Sequence, residues 1–334
     1  MKNMRKTLSF VLPLFGLMLM LAACEAKFYD EEQYRKEIYI VSDGSQIFGQ
    51  EYTFGEESEG WLSIYTSGTT PIERDVTVEL EYWPELLRTY NRTIYGESYA
   101  SYAQELDASC YTIDSYTLTL SKDNDKPYTK FPIRVNASSV NPDEVCYIPL
   151  RIKSVSDYMI SEDKREVLFR IYVKNDYATT KSTTYYTMNG TEQMYKETDG
   201  VFSATGEPST INATKPLTPV DVQSVRILPG TTYSTAALII SQKGVRVTVH
   251  PDEMVEVPVF VEGLPTGEVL QRQLVTLSTW EETSRSVVVS EIEDSPSYYD
   301  PDTKTFTLNY RYKQPTEVNW HFMHEEMAPL DITD

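Results

Sequence analysis

The chain has 334 residues with 50 acidic and 30 basic side chains, and its formal net charge at pH 7 is −20. A surface this acidic repels phosphate backbones, so the charge argues against a nucleic-acid partner. Only three histidines and three cysteines are present, which leaves few side chains for metal binding or nucleophilic catalysis.

The first predicted element is a signal peptide over residues 1–23. Basic residues precede an apolar run, residues 8–23, that is shorter than the roughly 20 residues of a membrane span. The run ends in LAAC, residues 21–24, which resembles the bacterial lipobox. In that pattern the thiol of Cys24 is lipidated and the peptide is cut before it, so the resemblance implies a stable membrane anchor. The alternative is an ordinary signal peptide that contains a cysteine.

Residues 24–36 are predicted to form an acidic tether, because four acidic residues lie between positions 25 and 32. An acidic stretch at this place resembles the signal that exports Bacteroidota lipoproteins to the outer face of the outer membrane. The resemblance implies a lipid-anchored protein of the outer membrane that faces the cell exterior. A solvated acidic spacer is the alternative, and the periplasmic face also stays open.

Alternation of apolar and polar residues dominates the rest of the chain and predicts half-buried antiparallel strands. The clearest stretches are VTVELEY (76–82), YTLTLS (116–121), FPIRV (131–135), VLFRIYV (167–173), VRVTV (245–249) and FTLNYRY (306–312). Helical periodicity is confined to short stretches, the better of which is residues 84–91, with proline at the start. Short strands without long helices predict an all-β protein made of sandwiches or barrels.

The length after the signal peptide suits two domains of about 150 residues each. We place the boundary near residue 177, where a polar segment without an apolar pattern begins. The predicted domains are an antiparallel β-sandwich over 37–176 and a second antiparallel β domain, barrel-like or sandwich, over 177–334. Residues 199–220, rich in Gly, Pro, Ser and Thr, are interpreted as a long loop of the second domain.

Several of these segments resemble a known family. DVTVELE, YTIDSYTLTL, CYIPLRIKSVS and LFRIYVKN, within residues 28–175, look like an Ig-like domain of unknown function in Bacteroidota surface lipoproteins. The closing YYDPDTKTFTLNYRY, residues 298–312, is similar to the end of a companion C-terminal, barrel-like module. The resemblance implies an Ig-like sandwich for the first domain and a place in polysaccharide-utilisation systems, because relatives lie among genes for polysaccharide capture.

The spaced catalytic motifs are missing from the sequence. It contains no G-x-S-x-G, G-x-x-x-x-G-K-[ST], G-x-G-x-x-G or H-E-x-x-H, and it lacks the D-x-x-D-x-D-x-E signature of endoglycosidases with a similar N-terminal module. His321 and His324 are three apart on a predicted strand, so they point to opposite faces and are a poor metal pair. We therefore predict no catalytic residue, cofactor or metal site, and a protein that is not an enzyme.

Cys110 and Cys146 each precede a tyrosine at the start of a predicted strand. They are candidates for a cross-strand disulfide in an oxidising compartment. Two buried thiols in a core are the alternative, and the sequence does not decide between them.

Aromatic side chains are abundant, with 25 tyrosines and four tryptophans. Flat rings stack on the apolar faces of sugars, although packing within strands is the competing explanation. Trp83 follows the polar face of its strand and is predicted to be exposed. Trp280 ends a predicted strand just before a loop that could present its ring. Tyr298 and Tyr299 precede the turn at residues 300–302. We predict glycan binding at two platforms, one at Trp83 and one at the other three residues.

The remaining aromatic residues are weaker candidates. Trp61 shares a face with Ser63 and Tyr65, whereas Trp320 alternates with apolar residues and is predicted to be core. The densest cluster, YNRTIYGESYASY at residues 90–102, also resembles a structural loop of the family domain.

The combined expectation is a non-catalytic, glycan-binding surface lipoprotein of a polysaccharide capture system. Its expected partners are a polysaccharide or oligosaccharide, the membrane through the lipid anchor, and other outer-membrane capture proteins. A structural or adhesive protein-binding lipoprotein is one alternative. A glycosidase with a carboxylate pair is another, because the sequence cannot nominate a pair among 50 acidic residues.

Overall fold

The computed structural model describes residues 32, 34–55, 57–261 and 264–330. The predicted signal peptide, the lipidation site Cys24 and the tether before Glu32 lie outside these residues. No helix in the described ranges has the length and apolar character needed to cross a membrane.

The chain forms two β modules, which confirms the predicted all-β class. The strands of the N-terminal module are β1 (Glu37–Ile40), β2 (Ile47–Thr53), β3 (Glu57–Thr66), β4 (Val76–Tyr82), β5 (Gln104–Glu105), β6 (Tyr111–Thr112), β7 (Thr117–Leu120), β8 (Tyr128–Asn136), β9 (Cys146–Val155), β10 (Met159–Ile160) and β11 (Glu166–Lys174). Helix α1 (Pro84–Tyr95) follows β4, so the predicted helix over residues 84–91 is confirmed and runs one turn further.

The N-terminal module is a sandwich of two sheets. One sheet has the order β10-β1-β3-β8-β6, and the other has the order β2-β11-β9-β4-β7 with β5 beside β9. Most pairings are antiparallel, but β1 with β10, β2 with β11 and β5 with β9 are parallel. Inward side chains of both sheets, such as Leu62, Ile64 and Phe169, meet in one apolar core.

The C-terminal module contains ten strands and one short helix among the described residues. The strands are β12 (Thr184–Thr198), β13 (Val201–Ala204), β14 (Ser209–Pro219), β15 (Ser224–Ile227), β16 (Val245–Val261), β17 (Leu264–Thr279), β18 (Val288–Glu291), β19 (Ser297–Asp300), β20 (Thr305–Lys313) and β21 (Asn319–Pro329). The helix is α2 (Ala237–Lys243).

The sheet of the C-terminal module closes on itself. The ring runs β12-β14-β15-β16-β17-β19-β20-β21, and β21 pairs again with β12. Every pairing in the ring is antiparallel, so the barrel-like form of the prediction is the one observed. β13 and β18 lie off the ring, beside β12 and β20. We refer to this module as the closed sheet.

Residues 199–220 are not the predicted long loop, because β13 and β14 occupy most of them. Ile211, Lys215 and Leu217 of β14 are buried inside the closed sheet. The many Gly, Pro, Ser and Thr residues, together with a lysine at an inward position, hide the apolar alternation of this strand.

The two modules contact each other through polar side chains. The guanidinium of Arg226 in β15 donates to both carboxylate oxygens of Asp143, with Nη1 to Oδ2 at 2.5 Å and Nη2 to Oδ1 at 2.6 Å. The amide Nδ2 of Asn175 donates to the carbonyl oxygens of Asp221 at 2.8 Å and Ser224 at 2.9 Å. These bonds tie the end of the sandwich to the first strands of the closed sheet.

The last residues of the predicted tether dock on the sandwich. Glu32 forms an ion pair with Lys36 and accepts a hydrogen bond from the backbone N–H of Thr69 at 3.0 Å. These contacts, the one with Lys36 first, hold the pKa of the Glu32 carboxyl well below its usual range.

Candidate functional site

A concave feature of the sandwich lies beside α1. The helix begins with Pro84 at its first position and buries Leu86 and Leu87 against β9 and β11. Asn91 faces the same way and is 5% exposed. Its Nδ2 donates to the carbonyl of Ala103 at 2.9 Å, and its Oδ1 accepts from the N–H of Ala103 at 2.9 Å. The paired bonds clamp the loop after the helix, residues 96–103, against α1.

The clamp leaves an open cleft of about 740 Å³ between α1 and this loop. We call it the helix cleft, and it is lined by Tyr82, Pro84, Leu87, Arg88, Asn91, Arg92, Gly96, Glu97, Tyr99, Tyr102 and Glu105. Its volume lies within the range that small-molecule sites occupy in proteins.

A series of tyrosines leads from the core to the rim of the helix cleft. Tyr147 is fully buried, and its ring centroid is 5.5 Å from that of Tyr90. Tyr90 contacts Tyr95 at 6.3 Å, and Tyr95 contacts Tyr102 at 6.2 Å. Tyr99 closes the series 5.3 Å from Tyr102 and is 70% exposed. The inner rings anchor the loop, and the last ring is free to meet a ligand.

Backbone and side-chain bonds fix the loop that carries Tyr99. The hydroxyl of Tyr102 donates to the carbonyl of Gly96 at 2.7 Å. Gly96 has a positive φ of 56° and donates its N–H to the carbonyl of Arg92 at the end of α1. A loop held in this way loses little conformational entropy when a ligand binds.

Both signs of charge line the helix cleft. Arg88 and Arg92 come from α1, whereas Glu97 and Glu105 come from the loop and β5. Burial, followed by a hydrogen bond to the Glu105 carboxylate, raises the pKa of Tyr82 far above its usual range, so its hydroxyl stays protonated. The lining therefore offers donors, acceptors and aromatic faces with little net charge, which suits a polyhydroxylated ligand.

Trp83 lies next to this cleft but does not line it. The residue caps the N-terminus of α1 and packs on the cluster beneath the helix. The ring is half-buried rather than exposed, because the guanidinium of Arg151 lies 3.2 Å from its centroid. The predicted exposure of Trp83 is therefore only partial, and its role in binding stays a prediction.

The second predicted platform is not assembled. Tyr299 is 5% exposed and packs on Phe306 at 4.6 Å inside the closed sheet, so its ring cannot meet a glycan. Tyr298 points to the opposite face and is half-buried, as adjacent strand residues must diverge. Trp280 lies beyond the far end of β17, roughly 20 Å from this pair at about 3.3 Å per residue.

Trp280 packs at the junction of the modules. The guanidinium groups of Arg226 and Arg246 lie 4.9 Å and 5.0 Å from its ring centroid. Arg226 is the residue that binds Asp143, so the half-buried indole helps to hold that ion pair in place. Glycan binding by Trp280 or Tyr298 stays a prediction.

The two cysteines are free, buried thiols. They are not cross-strand neighbours, because Cys110 ends a 3₁₀ turn before β6 in one sheet and Cys146 begins β9 in the other. The Cys110 thiol donates to the carbonyl of Ser139 at 3.4 Å. Burial raises the pKa of the Cys146 thiol to about 11. Both side chains belong to the apolar core of the sandwich.

The histidines are engaged separately. His321 places Nδ1 2.5 Å from Glu192 and stacks on Tyr312 at 4.7 Å, whereas His324 bonds Asn309 on the other face of β21. Across the described residues, no group of three or more His, Cys, Asp or Glu is arranged to hold a metal ion. Trp320 is 8% exposed, but it packs on Phe202 outside the closed sheet rather than in its core.

A sandwich joined to a closed sheet, with its main cleft on the sandwich, defines a two-module β protein. Two family models match the chain. One describes an N-terminal domain and covers residues 34–159, and the other describes a C-terminal domain and covers residues 165–328. Together the two models match most of the chain, one for each module, so the two-module family resemblance seen in the sequence is confirmed.

Solved structures share this architecture along nearly their whole length. A protein of unknown function from Bacteroides ovatus has a TM-score of 0.54 at 12% identity and covers 89% of this chain and 95% of its own. An auxiliary nutrient binding protein from Bacteroides thetaiotaomicron has a TM-score of 0.53 at 15% identity, covering 86% and 94%. A multidomain protein including DUF1735 from Bacteroides ovatus has a TM-score of 0.50 at 11% identity, covering 87% and 94%. No curated protein matches the chain. At these identities the likeness shows the fold alone.

Proposed function

We propose that the protein is a non-catalytic glycan-binding component of a polysaccharide capture system and that the helix cleft is its binding site. The observation that carries this proposal is the exposed ring of Tyr99 on a clamped loop, beside arginine, asparagine and glutamate side chains. An aromatic face packs on the C–H face of a sugar ring, while the polar groups bond its hydroxyls. The nearly balanced charge of the lining favours a neutral sugar chain.

The comparisons support a binding role in general terms. The similar structure from Bacteroides thetaiotaomicron is described as an auxiliary nutrient binding protein. We extend that description to this chain as part of the proposal, together with lipid anchoring at Cys24 and exposure at the cell surface. Anchoring is tested by metabolic palmitate labelling, which should mark the wild type and should be lost in Cys24→Ala.

Affinity electrophoresis through gels that contain neutral polysaccharides tests the binding site. At least one mannan, glucan, galactan or xylan should retard the wild type. Tyr99→Ala should weaken that retardation by roughly threefold to tenfold, because one stacked aromatic face is worth about 0.5–1.5 kcal/mol. Tyr233→Ala is the matched control, since Tyr233 is 61% exposed on a loop of the other module. Equal losses in the two variants, or no retardation by any polymer, would refute the assignment.

Hydrolysis is the second candidate, because Glu97 and Glu105 both line the helix cleft. A glycosidase needs two carboxyl groups that face each other across the scissile bond. The binding proposal predicts no release of reducing sugar from the polymer that binds best. Release that Glu97→Gln or Glu105→Gln abolishes would replace the binding proposal with a catalytic one.

A further inference from the structure

A second aromatic surface lies on the outward face of the sheet that contains β1, β3 and β8. Tyr39, Tyr65 and Tyr128 occupy neighbouring positions on these three strands, because Tyr39 pairs with Tyr65 and Tyr65 pairs with Tyr128. Their ring centroids are 5.4 Å and 6.1 Å apart, and the second pair is stacked at an interplanar angle of 12°. Trp61 continues the same face along β3, since Leu62 and Ile64 point into the core.

Lysines surround this aromatic row. The ammonium of Lys130 lies 3.4 Å from the ring centroid of Trp61, that of Lys164 lies 5.6 Å from Tyr39, and that of Lys126 lies 5.7 Å from Tyr128. All three lysines are exposed. Within the described part of the chain, none of the three ammonium groups is paired with a carboxylate, although Asp125 and Asp163 are chain neighbours.

The acidic groups of the same sheet lie mostly at the end away from the tyrosines. Glu57 and Asp114 share the single guanidinium of Arg134 at 3.2 Å and 2.5 Å, at the other end of β3 and β8, and the exposed Glu59 lies on the same face of β3, two residues before Trp61. Glu37, two residues before Tyr39 on β1, is the carboxylate nearest to the row along its strand. The ammonium groups of Lys126, Lys130 and Lys164 thus lie at the rings, whereas Glu57 and Glu59 lie six or more residues before Tyr65 on β3, in a molecule whose net charge is −20.

We propose that this surface, the lysine–tyrosine face, binds an acidic polysaccharide. Rings set side by side across three strands form a broad surface for a run of sugars, and the ammonium groups pair with carboxylate or sulfate groups on them. The cation–π contacts keep the ammonium groups at the rings before a ligand arrives, and at Trp61 the ammonium of Lys130 covers the ring and presents a charge rather than a free aromatic face. Because the rest of the surface repels polyanions, a polyanion approaches best at this face.

The nature of the rings favours a polysaccharide over an anionic membrane. Membrane-surface binding uses apolar side chains that enter the bilayer. The four rings of this face are half-buried on the sheet and none projects as an exposed apolar residue. The inference does not depend on the helix cleft, which is a separate surface with a lining of mixed charge.

Isothermal titration with sodium polygalacturonate, and with dextran as the neutral probe, tests the proposal. Polygalacturonate should bind and dextran should not bind at this face, and the affinity should fall severalfold between about 0.05 M and 0.5 M salt. Lys130→Gln combined with Lys164→Gln should weaken binding by about threefold to tenfold, since exposed charge pairs contribute modestly. Tyr65→Ala should weaken it on the order of fivefold.

Matched variants separate this face from other causes. Lys130→Arg should keep the binding, because it keeps the charge on the ring. Lys181→Gln, which removes one exposed lysine of the other module, and Tyr99→Ala in the helix cleft should bind polygalacturonate like the wild type. No binding of polygalacturonate, equal binding by the lysine variant, or binding only to vesicles with anionic lipid would overturn the proposal. Loss of polygalacturonate binding in Tyr99→Ala would instead place the acidic ligand in the helix cleft.

Discussion

The two modules fill their interiors with different chemistry. The core of the sandwich is built from apolar side chains, two thiols and the ring of Tyr52, and its largest members also include Phe131 and Phe169. The interior of the closed sheet contains an ion pair, because Nζ of Lys215 lies 2.6 Å from Oε2 of Glu325 with both side chains almost fully buried. The other oxygen, Oε1, accepts from the hydroxyl of Tyr310 at 2.8 Å and from the N–H of Gly230 at 2.9 Å.

Because of this difference, the stability of the two modules depends to different degrees on single side chains. An apolar core responds to each change in proportion to the volume lost. A buried ion pair is costly to desolvate and contributes little net stability while intact, yet losing one partner leaves an uncompensated charge. Burial lowers the pKa of Lys215 against the opposing pull of Glu325, and it raises that of Tyr310 well above the usual range. The closed sheet is therefore the module that one polar substitution can unfold.

The largest predicted effect is that of Glu325→Gln. The variant keeps the shape of the side chain but leaves the Lys215 ammonium buried without an anion, so the free energy of unfolding should fall by about 3–5 kcal/mol. Hydrogen exchange read by mass spectrometry should report the loss in β14, β20 and β21, with the sandwich unchanged.

An exposed ion pair provides the control for that variant. Arg134→Gln removes a guanidinium that is more than a third exposed, so it should cost less than about 1 kcal/mol. Equal losses in the free energy of unfolding for Glu325→Gln and Arg134→Gln would contradict the claim that the buried pair matters more than an exposed one.

Asp143→Asn should have an intermediate effect, on the coupling between the modules. Arg226 is 5% exposed, and the substitution removes the charged, bidentate partner of its guanidinium. This loss should destabilise the junction by about 1–3 kcal/mol. Calorimetry should show a larger difference between the melting temperatures of the two modules than in the wild type. Asp221→Asn is matched to it, because the Arg246 partner of Asp221 is 35% exposed, whereas the Arg226 partner of Asp143 is 5% exposed, so the loss of Asp221 should matter less. Identical thermograms for Asp143→Asn and the wild type would contradict this role for the junction.

The smallest predicted effect is the contribution of one buried thiol to the pH dependence of the sandwich. The pKa of the Cys146 thiol is about 11 in the folded chain, against an ordinary value of 9.0. Between these values the unfolded chain has lost a proton that the native chain keeps, so stability falls as the pH rises. From pH 9 to pH 10 this thiol should contribute about 1 kcal/mol to the loss of stability in urea unfolding, beside the buried tyrosines of the sandwich, whose pKa values are also raised. Cys146→Ala should lower the loss by that amount, and an equal loss in the variant and the wild type would contradict the role of the thiol.

The sequence predicted the features that depend on local alternation. Period two identified the main strands and placed Trp61, Ser63 and Tyr65 on one face of β3, and the proline at position 84 marked the start of α1. Features that depend on strand register could not be predicted from the sequence. The row of Tyr39, Tyr65 and Tyr128 exists only because three strands pair at those residues.

Two errors have physical causes of the same kind. The strand β14 was taken for a loop because residues 199–220 are rich in Gly, Pro, Ser and Thr, and the partner of its inward Lys215, Glu325, is 110 residues away in the chain. Tyr298 and Tyr299 were treated as one platform, although neighbours on a strand point to opposite faces and one had to enter the core. The cluster containing Tyr99 was visible in the sequence, but the clamp by Asn91 that makes its loop a site was not.

The claim that glycan binding belongs to the sandwich is tested most directly by hydrogen exchange of the intact protein with bound polymer. The probe is the neutral polysaccharide that retards the wild type most in the gels. We expect slower amide exchange in residues 95–105, around the helix cleft, and no change in the strands of the closed sheet. Protection confined to the closed sheet, or no protection at saturating polymer, would contradict the account.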